Sequence, residues 1–194
     1  MKRLAGALLF GLLFAMEAQA QTSYPMLMTL QPIAIQIGTT GVLEVQSRHS
    51  MWGANQVIIS GEGLSGEVVH PELPAAKEGE KPKEPSLTTL KIKFIATPDA
   101  APGVREFKLL TPRGVSTVGQ IVVTRDTVVF EDIKSDSSEK AVEFEIPATL
   151  TGVIEKGEDR DYFKFSIDAP TQLVFHCRCM RLQDRIHDLQ KHAD

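Results

Sequence analysis

From Pro32 onward, apolar residues recur at every second position in short runs bounded by Gly and Pro. The runs are IAIQI, VLEVQ, QVIIS, EVV, TLKIKFIA, REFKLL, VGQIVVT, TVVFE, VEFEI, DYFKFSI and LVFHCRC. Successive residues of a strand point to opposite faces, so each run predicts a strand with one apolar side. In TLKIKFIA, Leu90, Ile92 and Phe94 share a face while Lys91 and Lys93 take the other. No stretch before Arg181 sustains an amphipathic helical period for even three turns. The predicted class is therefore all-β and antiparallel, and alternating βαβ units are excluded.

One stretch argues against that reading at first sight. Residues 57–69, VIISGEGLSGEVV, place Gly61, Gly63 and Gly66 in the spacing of a dinucleotide-binding loop. That loop works only where the third glycine opens a helix whose free N–H groups meet a pyrophosphate. Here Gly66 leads into EVVHPELP, a β-branched pair followed by two prolines. The glycines are expected to supply positive φ in a tight connection between strands, and no nucleotide is expected to bind.

The first residues, MKRLAGALLFGLLFAMEAQAQ, have the layout of a secretory signal. Lys2 and Arg3 precede an apolar core from Leu4 to Met16, and Ala18-Gln19-Ala20 forms a small-x-small cleavage site. The apolar stretch is shorter than the ~20 residues of a membrane-spanning helix and lacks a basic stop signal. Residues 1–20 are thus expected to be removed on export to a periplasmic, cell-surface or extracellular location, with no membrane span in the mature chain. About 174 residues remain, enough for one large or two small domains.

Two composition shifts punctuate those residues. Residues 71–86, PELPAAKEGEKPKEPS, combine Pro71, Pro74, Pro82 and Pro85 with alternating charge around a single large apolar residue, Leu73. They could join two domains or two strands. A disordered loop within one domain is favoured, because the strands before it are too few to close a sandwich. The polar, serine-rich stretch 132–141, DIKSDSSEKA, is expected to be the linker between a first domain over 21–131 and a second module over 142–194.

Charge narrows the partners. The formal net charge is -4, with acids and lysines interspersed, so the basic face that nucleic-acid binding requires is missing. Cys177 and Cys179 are the only cysteines. On one strand their Cα atoms would stand ~6.6 Å apart with parallel side chains, at the far edge of disulfide geometry. The favoured reading is a reduced pair facing the core of the second module beside Leu173 and Phe175, which share their strand parity; redox or metal chemistry is the alternative.

Two resemblances follow from the placed strands. QVIISGEGLSGEVV and AAPGVREFKLLTPRGVS resemble the immunoglobulin-like domains of the TIG type found in bacterial surface proteins. There a strand ending in Gly-x-Gly turns into the next, and a later Ala-x-x-Gly…Pro-x-Gly-x-Ser pattern closes the sheet; Leu109 or Leu110 stands here where valine is usual. The resemblance spans about residues 30–130 and implies an immunoglobulin-like β-sandwich in which Gly61, Gly63 and Gly66 belong to a turn. GVIEKGEDRDYFKFSIDAPTQLVFHCRCMRLQDRIHDLQKHAD resembles the first half of the bacterial pre-peptidase C-terminal domain, a small jelly-roll-like β-sandwich appended to secreted proteases and large exported modular proteins. The match lies in an acidic turn running into Asp161-Tyr162-Phe163-Lys164-Phe165, a strand over Gln172 to Cys179, and Arg181-Leu182 through Ile186-His187-Asp188, with Pro170-Thr171 where the family has Gly. This resemblance implies a partial second sandwich. With only about three strands around Val142, Phe163 and Phe175, residues beyond about 135 are expected to be loosely ordered, packed on the first domain, or completed by further sequence.

Candidate chemistry is sparse. Glu158, Asp159 and Asp161 form an acidic turn that could hold calcium, an expectation the resemblance to calcium-holding relatives strengthens; a solvated turn is the simpler reading. His176, Cys177 and Cys179, with His187 and His192 downstream, are zinc-type ligands, but adjacent strand residues face opposite ways. Trp52, with Tyr24 and Tyr162, could form an aromatic platform for sugar or protein, although a single tryptophan more often plugs a sandwich core. Gly63-Leu64-Ser65-Gly66-Glu67 lacks the closing glycine of a nucleophile elbow, and Gly114-Val115-Ser116 fails similarly.

The expected function is that of an exported, non-catalytic modular β-protein. Its role would be adhesion, binding of extracellular polysaccharide or protein, or support of a neighbouring domain of a longer polypeptide. The alternative is an accessory N-terminal part of a secreted peptidase. Calcium aside, no cofactor is expected.

Overall fold

The computed structural model describes residues 24–71, 84–131, 135–153 and 160–178. The expected leader, most of the proline-rich segment, and Glu158, Asp159 and Cys179 lie outside the described residues. The fold is all-β; the one helical element among the described residues is a single 3-10 turn at Ser138–Lys140.

Two sheets face each other across the main core. One runs in the order β1 (Leu27–Gln31), β3 (Thr40–Ser47), β6 (Thr89–Ala96), β5 (Leu64–Val69), with every neighbour antiparallel. The other runs β2 (Ala34–Gln36), β9 (Gly119–Thr124), β7 (Gly103–Thr111), β4 (Gln56–Ile59), and the short β8 (Gly114–Val115) pairs with β7. β2 lies parallel to β9, and the other pairs of this sheet are antiparallel. β1 is an addition to the sequence reading, which begins its strands after Pro32.

The alternation in β6 survives into the fold: Leu90, Ile92, Phe94 and Ala96 are buried between exposed or half-buried neighbours. Phe94 meets Phe107 of β7 edge to face at 5.4 Å, which joins the two sheets through their largest buried side chains. Leu43 and Val45 from β3 and Ile121 and Val123 from β9 fill the same core. Met51, fully buried, enters it from the loop between β3 and β4. Trp52 beside it is only half-buried, so the core plug expected of tryptophan is a methionine.

The GEG stretch carries the chain from β4 in one sheet to β5 in the other. Gly61 and Gly63 have φ of 79° and 82°, which L side chains adopt only with strain. Gly66 is a correction: it sits inside β5, without positive φ. A Cβ there would meet the Val57 side chain of β4 at 3.0 Å, so this glycine serves close packing between the strands. No helix follows it, and the strand pairs along its length with β6. That pairing also makes β5 and β6, the strands flanking the proline-rich segment, hydrogen-bonded neighbours.

Beyond Thr124 the architecture changes. β10 (Thr127–Phe130) pairs in parallel with β12 (Ala148–Thr151), and β11 (Val142–Glu143) in parallel with β13 (Phe163–Lys164). The antiparallel expectation does not hold here, because each pair is closed by an intervening crossover and not by a hairpin. β10 thus bonds to a strand from the far side of the polar stretch 132–141. Within that stretch Ser135 is fully buried, and its carbonyl accepts the Tyr162 amide at 2.9 Å. The expected strand over Gln172 to Cys179 is a further correction: residues 171–178 form none. No helix among the described residues is long and apolar enough to cross a membrane.

Candidate functional site

The residues singled out by sequence divide among three regions. Trp52 and Tyr24 come to one end of the sandwich, where they flank the hairpin between β7 and β8. The Tyr24 side chain stands against Gly114, and the Thr117 amide donates to the Pro25 carbonyl at 3.0 Å. On the other flank, Gly53 packs on the Pro112 ring and the Asn55 amide donates to the Leu110 carbonyl at 3.1 Å. Tyr162 belongs instead to the β13 region, so the three aromatic residues do not form one platform.

Local hydrogen bonds fix this end. The buried Ser50 Oγ accepts the Trp52 amide at 3.2 Å and the Leu87 amide at 3.0 Å, tying the tryptophan loop to the segment that enters β6. Thr111 Oγ1 donates to the Gly114 carbonyl at 2.9 Å and accepts the Arg113 amide at 3.2 Å, closing the hairpin turn. Arg113 then reaches Glu84, Nη2 to Oε2 at 2.9 Å. Around this frame Tyr24 is 51% exposed, and Val115 and Val118 are also exposed. The result is an aromatic and apolar surface beside a solvent-exposed ion pair, carried on loops of the sandwich.

The opposite end holds an open groove of about 500 Å³ lined by Ile37, Asp99, Pro102 and Arg125, among others. The Thr97 hydroxyl, and then its own backbone amide, hold the exposed Asp99 carboxyl below the usual carboxylate range. Sequence reasoning passed over Asp99, because an acid in a TPDAAP loop carries no spacing signal.

The third region carries the remaining candidates. Of the acidic turn, Asp161 alone is described; its Oδ1 faces the buried Ser135 hydroxyl at 3.5 Å. Among the described residues, no group of three or more His, Cys, Asp or Glu side chains is placed to hold a metal. His176 and Cys177 are both exposed. That corrects the expectation that Cys177 faces a core: Phe175, its partner in parity, is 78% exposed. Among the described residues no strand pairs with 171–178, so none of these supplies a sheet to bury a face against.

No protein-family model matches the chain, and no curated protein matches it.

Proposed function

We propose that this chain is an exported, non-catalytic binding module that engages an extracellular polysaccharide or protein through the Tyr24–Trp52 end of its sandwich. The observation that carries the reading is the surface at that end. Tyr24, Val115 and Val118 are exposed on segments that hydrogen bonds hold against one hairpin, with half-buried Trp52 on its other flank. Aromatic rings on fixed loops offer a large contact area with little ordering cost, which suits a recognition surface. The sequence resemblances to TIG-type and pre-peptidase C-terminal domains of exported bacterial proteins support the same class, as does the signal-like leader.

The test is a glycan and matrix-protein binding array on the chain from Gln21 onward. Binding that falls at least about tenfold in Tyr24→Ala and Trp52→Ala, a loss of roughly 1.4 kcal/mol each, supports the reading. Binding unchanged by both substitutions, or no binding to any class, overturns it.

A further inference from the structure

Two neighbouring strands run out on arginine at the end of the sandwich that carries the groove. On β7 the core-facing row of Leu109 and Phe107 continues to Arg105, and on β9 the row of Ile121 and Val123 is followed by Arg125, one residue past the strand. Arg105 lies opposite the buried Ile121 in the β7–β9 register, so its side chain leaves on the core side, and it is half-buried. Its Nη2 donates to the Ala101 carbonyl at 2.6 Å. The same register sets Gly103 opposite Val123; carried on by two positions, it sets Ala101 opposite Arg125. Ala101 and Arg125 both line the groove, so the two arginines come together at its wall.

Neither charge is neutralised among the described residues. No described carboxylate pairs with Arg105 or Arg125, and the buried Arg105 Nε has no hydrogen-bond partner among the described residues. A guanidinium drawn partly out of water without an anion is costly. Two glycines flank this one. A Cβ on Gly61 would stand 3.3 Å from Nε, and a Cβ on Gly103 3.7 Å from Nη1, so larger residues at either position would cover the group that glycine leaves open. Asp99 adds the opposite chemistry: its exposed carboxylate, held ionised by the Thr97 hydroxyl and its own backbone amide, is an acceptor on the groove wall. Ile37 and Pro102 make that wall partly apolar.

We propose that this groove binds a uronic acid residue of an acidic polysaccharide, its carboxylate held by Arg105 and Arg125 and its hydroxyl groups by Asp99. The fork of a guanidinium matches a carboxylate in shape and charge. A uronate carries its carboxylate and several hydroxyl groups on one ring, so a single ligand answers the arginines and Asp99 together. An Asp or Glu side chain of a peptide offers the carboxylate without the hydroxyl groups, and Asp99 would repel it. The volume of about 500 Å³ falls within the range of small-ligand sites. The site lies at the opposite end from Tyr24 and Trp52 and does not depend on that surface binding anything.

Isothermal titration calorimetry of the protein with oligomers of galacturonic, glucuronic and mannuronic acid tests the proposal. At least one should bind. Its methyl ester, which keeps the hydroxyl groups and removes the charge, should bind at least about tenfold more weakly. Arg105→Gln and Arg125→Gln should each weaken binding at least about tenfold, the loss of a charge-assisted hydrogen bond. Arg105→Lys should recover little of it, since lysine keeps the charge without the fork. Asp99→Ala should weaken binding of the sugar and leave binding of a glutamic acid oligomer no weaker. Tyr24→Ala should change nothing. Thermal unfolding shows which variants stay folded, and the exposed Arg125 is the substitution that disturbs the fold least. No binding of any uronate, equal binding of acid and ester, or binding that a folded Arg125→Gln variant retains in full overturns the proposal. So does loss of binding in Tyr24→Ala, which would place the sugar at the other end. Tighter binding of the glutamic acid oligomer than of every uronate also overturns it, and would make the ligand an acidic peptide.

Discussion

A Cβ on Gly63 would lie 2.6 Å from the Ala100 Cα and 2.8 Å from its Cβ, closer than side-chain carbons approach. Gly63 also has a φ of 82°. Gly38 shares the conformation, with φ of 77°, but its nearest neighbour, the Pro98 Cα, would be 4.0 Å away. Both glycines take on left-handed strain when replaced, about 1–2 kcal/mol. Only Gly63 adds an overpacking cost of about 1–3 kcal/mol. Gly63→Ala is therefore expected to lose that much more stability than Gly38→Ala in urea unfolding. Equal losses would mean that the loop carrying Ala100 yields freely.

Ser116 is structural. Its buried Oγ accepts the Leu109 amide at 2.9 Å and donates to the Thr117 carbonyl at 2.7 Å. Ser116→Ala leaves a buried amide unpaired and should cost about 1–3 kcal/mol. Ser138→Ala, which removes an exposed hydroxyl next to Glu139, should stay within about 0.5 kcal/mol. Thermal unfolding separates the two, and faster hydrogen exchange at the Leu109 amide locates the loss.

The faces of the strands were legible because period-2 alternation dictates them, as in β6. Partners were not. QVIIS and EVV sit either side of three glycines and read as neighbours, yet β4 and β5 lie in opposite sheets, since alternation specifies a face and carries no information on pairing. Met51 and Trp52 are adjacent in a loop without periodicity, and only tertiary packing decides which side chain turns inward. LVFHCRC has strand composition, but strand propensity expresses itself against a neighbouring strand, and here the described residues supply none. At the candidate site, Trp52 and Tyr24 were legible as aromatic residues. Their meeting at the β7–β8 hairpin depends on contacts 59 to 90 residues apart in sequence, such as Gly53 with Pro112 and Tyr24 with Gly114, which no local pattern records.

Phe94 and Phe107 carry the contact between the sheets. Both are fully buried, and Phe107 also packs where a Gly119 Cβ would stand only 2.5 Å from its Cζ. Phe107→Ala opens a cavity in this core and is expected to cost about 3–5 kcal/mol. Gly119→Ala should destabilise by about 1–3 kcal/mol by driving the Phe107 ring toward Phe94. The double variant Gly119→Ala with Phe107→Leu should recover part of the Gly119→Ala loss, because the smaller side chain makes room. Chemical denaturation of the three variants measures the coupling, and strict additivity would mean that Gly119 does not act through the ring.

The exposed pair of Glu143 and Lys164 gives the second segment a pH signature. The hydrogen bond from Lys164, and then its charge, hold the Glu143 carboxyl below the usual carboxylate range, and Glu143 in turn raises Lys164 above the usual ammonium range. A lowered carboxyl contributes stability that is present above its unfolded pKa and lost as pH falls through the folded value. A raised ammonium contributes stability that is present below its unfolded pKa and lost as pH rises through the folded value. The pairing of β11 with β13 is thus supported across the neutral range and weakened at both extremes. Because both groups are exposed, 1 M salt should screen most of the effect. Lys164→Met should return the Glu143 titration to the usual carboxylate range, read by NMR of its side-chain carboxyl. It should also speed exchange of the Phe144 amide, which donates to the Lys164 carbonyl at 3.0 Å, at neutral pH more than at pH 3 after correction for intrinsic rates. A Glu143 titration that is the same in both proteins would show that the pair does not form in solution, and that only backbone bonds and the ring contacts of Phe144 with Phe163 and Phe165 align β11 with β13.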